Sequence, residues 1–453
     1  MPNQDASRTE ERHPLSFAHI QPGEGRALLL AMAYFFALLA SYYLLRPLRD
    51  AYGSVDPGRL RWLFLGTLAL TLVVQPVFGA LVSRFGRPRI VPLSYRFLTV
   101  VTVGLGLALG SAEGRTLEAL RDVFFCWISV YSIVGVSIFW GLLADLFGRE
   151  RALRLFGFVA VGGTLGAIAG SSISSFASDL LPRVGLGPQH LPFLSALALE
   201  VCVWLQRALQ KAAAALELSG SGSCSFDASP ASSPEKPVGG SILSGFQRVA
   251  RSPYLGLACA YVAIYVIGST LAYDVGARLA NEAFTGDPDG SRAFFGKIDL
   301  ATNVWTLLLQ LFASGALLRR LGVGVGLMIV PLVGVVGFGA LAIEPSLLVL
   351  AVFAVARRST EYGISKPARD ALFTVVSRED KYKAKLVVDT VIYRAGDVAA
   401  IWGKHWLVAG GVALVTISWG SAVLAGLGLL VALALGRRFK RRAEQQASQS
   451  ATP

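Results

Sequence analysis

The sequence predicts an all-α membrane protein with twelve transmembrane helices in two pseudo-symmetric six-helix bundles. Three observations carry that expectation. The 453 residues are 54% hydrophobic and only 16% charged, and a mean hydropathy of +0.56 is too apolar for a water-soluble chain of this length. Apolar runs of about 20 residues, the length a helix needs to cross the hydrocarbon core, recur along the whole chain. Finally, Gly79-Ala80-Leu81-Val82-Ser83-Arg84-Phe85-Gly86 recurs as Gly315-Ala316-Leu317-Leu318-Arg319-Arg320-Leu321-Gly322, each copy after the second span of its half.

Hydrocarbon offers backbone N–H and C=O groups no partner, so each spanning run must close its hydrogen bonds internally as a helix. By apolar length and interruption the first half holds spans at 27–45, 60–82, 90–109, 123–146, 156–177 and 192–213. A Ser-, Gly- and Pro-rich stretch at 218–240 cannot bury apolar surface and reads as a flexible linker. A short amphipathic segment at 242–249 is expected to lie at the interface. The second half holds spans at 254–273, 298–318, 323–343, 346–365, 386–408 and 412–435. The resulting division is a cytoplasmic tail at 1–26, a bundle at 27–214, a linker at 215–253, a second bundle at 254–436 and a basic tail at 437–453. The N-terminus is polar through Arg26 and no A-x-A-like site follows the first apolar run, which is therefore expected to persist as a helix.

Basic loops resist translocation, so the positions of Lys and Arg set the orientation. Arg84, Arg87 and Arg89 fall between spans 2 and 3, Arg149, Arg151 and Arg154 between 4 and 5, Arg319 and Arg320 between 8 and 9, and Lys381, Lys383 and Lys385 before span 11. With Arg437–Arg442 they share one side if both termini are cytoplasmic, in a membrane expected to be the bacterial inner membrane. The net charge of +13 is largely this asymmetry, and nucleic-acid binding is a poor account of it. Cys126, Cys202, Cys224 and Cys259 are scattered without C-x-x-C or Cys/His spacing, so packing is expected and neither a disulfide nor a metal site. His190 and His405 lack a second ligand at metal spacing, and no cofactor is implied.

Two repeated halves imply a solute site between them near the midplane, opened alternately by rocking. The segment from Gly79 through Arg87-Pro88-Arg89 resembles the loop between helices 2 and 3 of the major facilitator superfamily, with Ser83 in place of the usual Asp. Gly141-Leu142-Leu143-Ala144-Asp145-Leu146-Phe147-Gly148-Arg149 repeats the pattern with Asp145 present. The resemblance implies gating by Gly79, Arg84, Gly86, Arg87, Asp145, Arg149 and Arg320, with Asp145 latching cytoplasmic helix ends in one state.

A narrower resemblance is to the nucleotide transporter family of ATP/ADP exchangers. Tyr42-Tyr43-Leu44-Leu45-Arg46-Pro47-Leu48-Arg49-Asp50 is similar to that family's Y-x-[IL]-L-R-D-x-K-D. Pro367-Ala368-Arg369-Asp370 and the run from Lys383 to Asp389 are similar to its P-x-K-E and K-x-K-x-x-x-D, and Phe139-Trp140-Gly141 also fits. No Glu stands near Ile128 and Asp397 replaces a common Lys, so the resemblance is to a divergent branch. It implies an anionic, nucleotide or phosphorylated small-molecule substrate, carried across the cytoplasmic membrane by alternating access, with ATP/ADP-type exchange as one mode.

Intramembrane charge marks function because an ionisable group at bilayer depth is costly unless paired or hydrated. Span 10 carries Arg357, Arg358 and Glu361, and about 1.5 Å per residue places Arg357 near mid-bilayer. In span 11, Asp389, Tyr393 and Asp397 share one face, with Arg394 beside it. Span 1 adds Tyr42, Tyr43, Arg46 and Arg49, where forked guanidinium donors suit phosphate or carboxylate. These eleven are the candidate substrate residues. Arg357 or Arg358 is expected to meet Asp397, as a structural pair or as one that an anion breaks, freeing the carboxylate for a coupling proton. Interfacial anchoring is the alternative for Arg46 and Arg49 and the commoner fate of basic residues at helix ends, so their substrate role rests mainly on the family resemblance. Gly157, Gly162, Gly163, Gly166 and Gly170 in span 5 suit close helix packing. Phosphate loops and nucleophile elbows are absent from the sequence, and an enzyme is not expected. A proton-coupled carrier of another organic anion and a transport-inactive receptor or assembly factor are the alternatives.

Overall fold

The computed structural model describes residues 24–85, 87–219, 251–376 and 387–450, almost entirely helical. The expected amphipathic segment, Lys381, Lys383, Lys385 and nearly all of the expected linker lie outside the described residues. The first half forms α1 (Glu24–Val55), α2 (Leu60–Phe85), α3 (Arg87–Ser111), α4 (Gly114–Ser175) and α5 (Leu191–Ser219). The second half forms α6 (Pro253–Ala283), α7 (Pro288–Leu308), α8 (Gly315–Ile343), α9 (Leu347–Thr360), α10 (Tyr393–Ala409) and α11 (Leu414–Ser450).

Local chemistry sets several of these starts. Ser252, Asp287 and Ser346 each accept the N–H three residues on, from Leu255 at 3.4 Å, Gly290 at 2.9 Å and Val349 at 3.3 Å. Such caps satisfy a donor that the first helical turn leaves orphaned, and Pro253 and Pro288 follow two of them with φ already suited to a helix. Between α1 and α2, Asp56 accepts the Gly58 N–H at 2.9 Å and begins a one-turn 3-10 helix.

α4 and α8 each contain a place where the chain must turn back. The rings of Trp140 and Phe156 lie 5.0 Å apart, whereas sixteen residues of straight helix would separate them by about 24 Å. α4 therefore reverses between them, as the basic residues there suggest. In α8 the break is Gly322, whose φ of 81° and ψ of 170° belong to a region only glycine occupies without strain. It is the last glycine of the repeated segment; its counterpart Gly86 lies outside the described residues.

Nine helical stretches among the described residues are long and apolar enough to cross a membrane. One of them, Pro288–Ile343, holds two of the expected spans in 56 residues. The expected spans at 346–365 and 386–408 are not among the nine. Arg357, Arg358 and Glu361 interrupt the first, and α10 has only 17 residues after a π turn at Val387–Ile392. Large apolar side chains face outward, with Trp204 74% and Phe312 76% exposed. A surface of this kind needs lipid rather than water.

Within the first half, α1 and the second leg of α4 approach backbone to backbone. A Cβ on Gly162 would lie 2.6 Å from the Met32 carbonyl oxygen, and Cβ atoms on Gly166 and Gly170 would collide with the carbonyls of Phe36 and Ala40. The four-residue period on both helices makes this a glycine rail, the close packing that the span-5 glycines suggest. In the second half Gly324 and Gly436 bring α8 and α11 together in the same way. Hydrogen bonds between the halves include Ser54 with Ser291 at 3.0 Å, Arg61 Nη1 with His405 Nδ1 at 2.9 Å, and Arg292 with the Ser174 carbonyl and, at 2.9 Å, the Ser178 hydroxyl. They gather where α1 ends and α2 begins, and the rings of Trp62 and Trp402 pack 5.2 Å apart there.

Candidate functional site

Behind that closed end lies a cavity of about 270 Å³. It draws residues from α1, α2 and α4 and from α6, α7, α9 and α10. Tyr42, Arg46, Arg49 and Asp50 line it from α1, spaced to share one helix face. Phe125 and Ser129 of α4 and Tyr265, Thr270 and Tyr273 of α6 form opposing walls, and Arg357, Arg358 and Tyr362 enter from α9 and its continuation. Tyr393, Arg394 and Asp397 close it from α10.

Five guanidiniums thus converge on one space, four of them on carboxylates. Arg49 meets Asp50 at 2.5 Å and donates to the Ser129 hydroxyl at 3.3 Å. The Tyr273 hydroxyl donates to Asp50 at 3.2 Å, a bond from the second half to the first. Asp299 of α7, 1% exposed, accepts from Arg358 at 2.6 Å and faces Arg46 Nη1 at 3.4 Å. Asp397 accepts from Thr270 at 2.6 Å and from Arg394 at 3.2 Å. Arg357, 7% exposed, keeps Nε and Nη1 buried with no hydrogen-bond partner.

Most of the candidate substrate residues meet here. Tyr43 and Glu361 are buried just outside the cavity lining, and Glu361 pairs with Arg369 at 2.7 Å. The Asp389 side chain lies outside the description. Arg46 and Arg49 face the cavity and are not interfacial anchors. The expected pairing of Asp397 with Arg357 or Arg358 is corrected: Asp397 takes Arg394 from its own helix, three residues back, and Arg358 takes Asp299. A partner one turn away needs no reach between helices.

Asp299, Thr270, Tyr273, Tyr265 and Arg369 were not singled out from sequence as site residues for their own chemistry. A polar residue inside an apolar span was the available signal for Thr270, and for Asp299 it was the helix start marked by Asp287 and Pro288. Of the expected gating residues, Arg84, Asp145 and Arg320 are exposed, the side chains of Arg87 and Arg149 and the surroundings of Gly79 are not described, and Gly86 lies outside the described residues.

No protein-family model matches the chain. It is 24% identical to ADP,ATP carrier protein 1 of Chlamydia trachomatis serovar D over 309 residues, 60% of this chain and 56% of that carrier. The same carrier of Chlamydia muridarum is 23% identical over 308 residues. The chain therefore spans little more than half the length of the curated relatives it matches. Human protein spinster homolog 1 is 30% identical over 131 residues, 28% of this chain and 23% of that protein.

Among solved structures, the nucleoside transporter NupG superposes with a TM-score of 0.58 at 11% identity, covering 90% of this chain and 98% of that one. A bacterial homolog of the human lysosomal transporter Spinster, inward-facing and unoccupied, superposes with a TM-score of 0.55 at 14% identity over 93% and 98%. Fold and site define a multi-pass helical membrane protein with a charged central cavity. Its fold is that of these two major facilitator superfamily transporters, and its sequence resembles the nucleotide carriers. None of these relatives and structural neighbours is an enzyme.

Proposed function

We propose that the chain is a secondary active transporter carrying an anionic, nucleotide or phosphorylated small molecule across the cytoplasmic membrane by alternating access. In this proposal twelve spans form two bundles, 27–214 and 254–436, with both termini cytoplasmic. The observation that carries it is the imbalance of charge at the cavity: five guanidiniums line it, against Asp50 and Asp397 in the lining and Asp299 buried behind Arg46 and Arg358. Positive charge inside hydrocarbon needs a counter-charge, and a bound anion is the natural one. Arg357, with no acceptor of its own, is the group most open to an arriving phosphate or carboxylate. The resemblance to ADP,ATP carriers supports a nucleotide and exchange.

A smaller organic anion is the second reading, favoured by the cavity volume of about 270 Å³, just under the 300–1,000 Å³ typical of drug-sized ligand sites. Uptake into proteoliposomes from a panel of ATP, ADP, AMP, sugar phosphates and dicarboxylates decides between them. Uptake of at least one anion is expected, strongly reduced in Arg357→Gln. Transport of neutral nucleosides or cations with no anion taken up overturns the proposal.

A further inference from the structure

α7 carries a polar stripe that leads away from the cavity arginines behind the cavity wall. Asp299, Thr302, Asn303 and Thr306 recur on one helix face, and none is more than 5% exposed. Each has a buried polar atom without a hydrogen-bond partner: Asp299 Oδ2, Thr302 Oγ1, Asn303 Nδ2 and Thr306 Oγ1. Glu361 Oε2, on the π turn Glu361–Ser365 that continues α9, is unpartnered in the same way.

The stripe and the π turn run side by side. Arg358 reaches Asp299 at 2.6 Å, and a Cβ on Gly363 would lie 3.7 Å from the Thr306 carbonyl oxygen. From Asp299 to Thr306 the path covers about 10 Å along the axis. It leads to a second π turn, Leu309–Ser314, which packs against the first. π turns are wide and recur at functional places in helices.

Buried polar groups in native proteins find partners. Two carboxylate acceptors, an amide donor and two hydroxyls able to do both are together what a short file of water satisfies. We propose that this stripe is a water-filled proton path to Asp299, and that the transporter takes up a proton with each anion.

In the structure the Asp299 carboxylate is held by Arg358 and faces Arg46. Tyr43 of α1, and Glu361, Tyr362 and Lys366 beyond α9, complete the charged and titratable surroundings, while the end of α4 meets α7 through Ser174 and Ser175. An arriving anion takes Arg46 and Arg358 as its own partners. Asp299 then faces a like charge with its counter-ions drawn away, and a proton passed along the water converts it to the neutral acid. An O–H bond forms at Oδ2 as the nearest water gives up a proton, each water in the file takes one from the water behind it, and a hydronium at the aqueous end supplies the net proton. The linkage is reciprocal, since a proton on Asp299 frees both arginines for the anion. Asp299, and not Asp397, is then the coupling carboxylate.

The proposal rests on the anion site above, and three measurements on the purified full chain separate the two. Calorimetry of AMP and inorganic phosphate binding in buffers of different ionisation enthalpy is expected to show close to one proton taken up per anion bound. That uptake is lost in Asp299→Asn and retained in Asp299→Glu. In proteoliposomes loaded with a pH-sensitive dye, Thr302→Val combined with Thr306→Val is expected to slow anion-driven proton entry severalfold. Binding without proton uptake, or uptake that persists in Asp299→Asn, overturns the proton path and leaves the anion site standing. If neither anion binds, the path is tested without ligand by a cryo-EM map that resolves ordered water. Density between Asp299, Asn303 and Thr306 supports the path, and a dry, closed contact there overturns it.

Discussion

Arg292 is among the largest fully buried side chains of the described residues, and it belongs to the closed end of the cavity. Its Nη1 donates to the Ser174 carbonyl and its Nη2 to the Ser178 hydroxyl, bonds that tie α7 to the end of α4, while Nε meets Asp289 at 3.2 Å. Arg292→Met keeps most of the side-chain volume and removes both cross-bonds. Hydrogen bonds from a charged donor are worth about 1.5–3 kcal/mol each, so the pair is worth about 3 kcal/mol at the low end. Water that enters the opened end restores roughly half of this, leaving about 1.5 kcal/mol, or about tenfold in the ratio of open to closed forms. Nitroxides at Glu113→Cys and Glu344→Cys, on loops of opposite halves, report the separation by pulsed electron resonance. The long-distance population should rise by about that factor in Arg292→Met. A distribution identical to the parent, in a protein that remains folded, would refute the assignment of Arg292 to the closure.

Two further perturbations test packing and buried charge. Gly166→Ala drives a methyl into the Phe36 carbonyl, backbone that cannot yield like a side chain, and should cost roughly 1–3 kcal/mol. Gly157→Ala, with nothing within 4 Å of its Cβ, should raise the thermal midpoint slightly through helix propensity, and equal shifts for the two would contradict the glycine rail. Lys404 meets Asp274 at 2.5 Å, both nearly inaccessible, with Arg278 at 3.1 Å from the same carboxylate. Lys404→Met alone should cost roughly 3–5 kcal/mol in thermal unfolding, and Asp274→Leu combined with Lys404→Met less than either single change. Additivity within about 0.5 kcal/mol would show that the pair is not coupled.

The helical character and the reversal points were legible because the membrane imposes a length rule and glycine a conformational one. Gly322 stood out as the end of a repeated segment and proves to be the left-handed break in α8. Gly162, Gly166 and Gly170 announced close packing by their spacing alone, and they meet α1 at the same period. What sequence could not supply was the partner helix, since small residues say that something approaches without saying what. The closed end was illegible for a related reason. Ser54, Ser291 and Ser178 are ordinary polar residues, and only the fold places them across from one another.

The cavity was legible in depth but not in angle. Counting along spans put Arg357 and Asp397 at bilayer depth, and both line the cavity, yet depth alone paired them with each other. Asp299 escaped notice because an apolar window begins its span at 298 and so sets this acid at the membrane edge, where charge is cheap. The helix begins ten residues earlier. Asp287 caps it and Pro288 occupies its first position, a start signal as visible in the sequence as any hydropathy window. Measured from that cap, Asp299 is about 18 Å into the helix, a depth at which a carboxylate needs a cation or a proton. Starts taken from caps rather than from apolar windows set Asp299 at the depth of the cavity arginines, and the fold supplies the angle that brings it to Arg46 and Arg358. Hydropathy windows therefore misplace most readily the residues that matter most in a solute path, because the charge they carry shortens the apolar run used to find them.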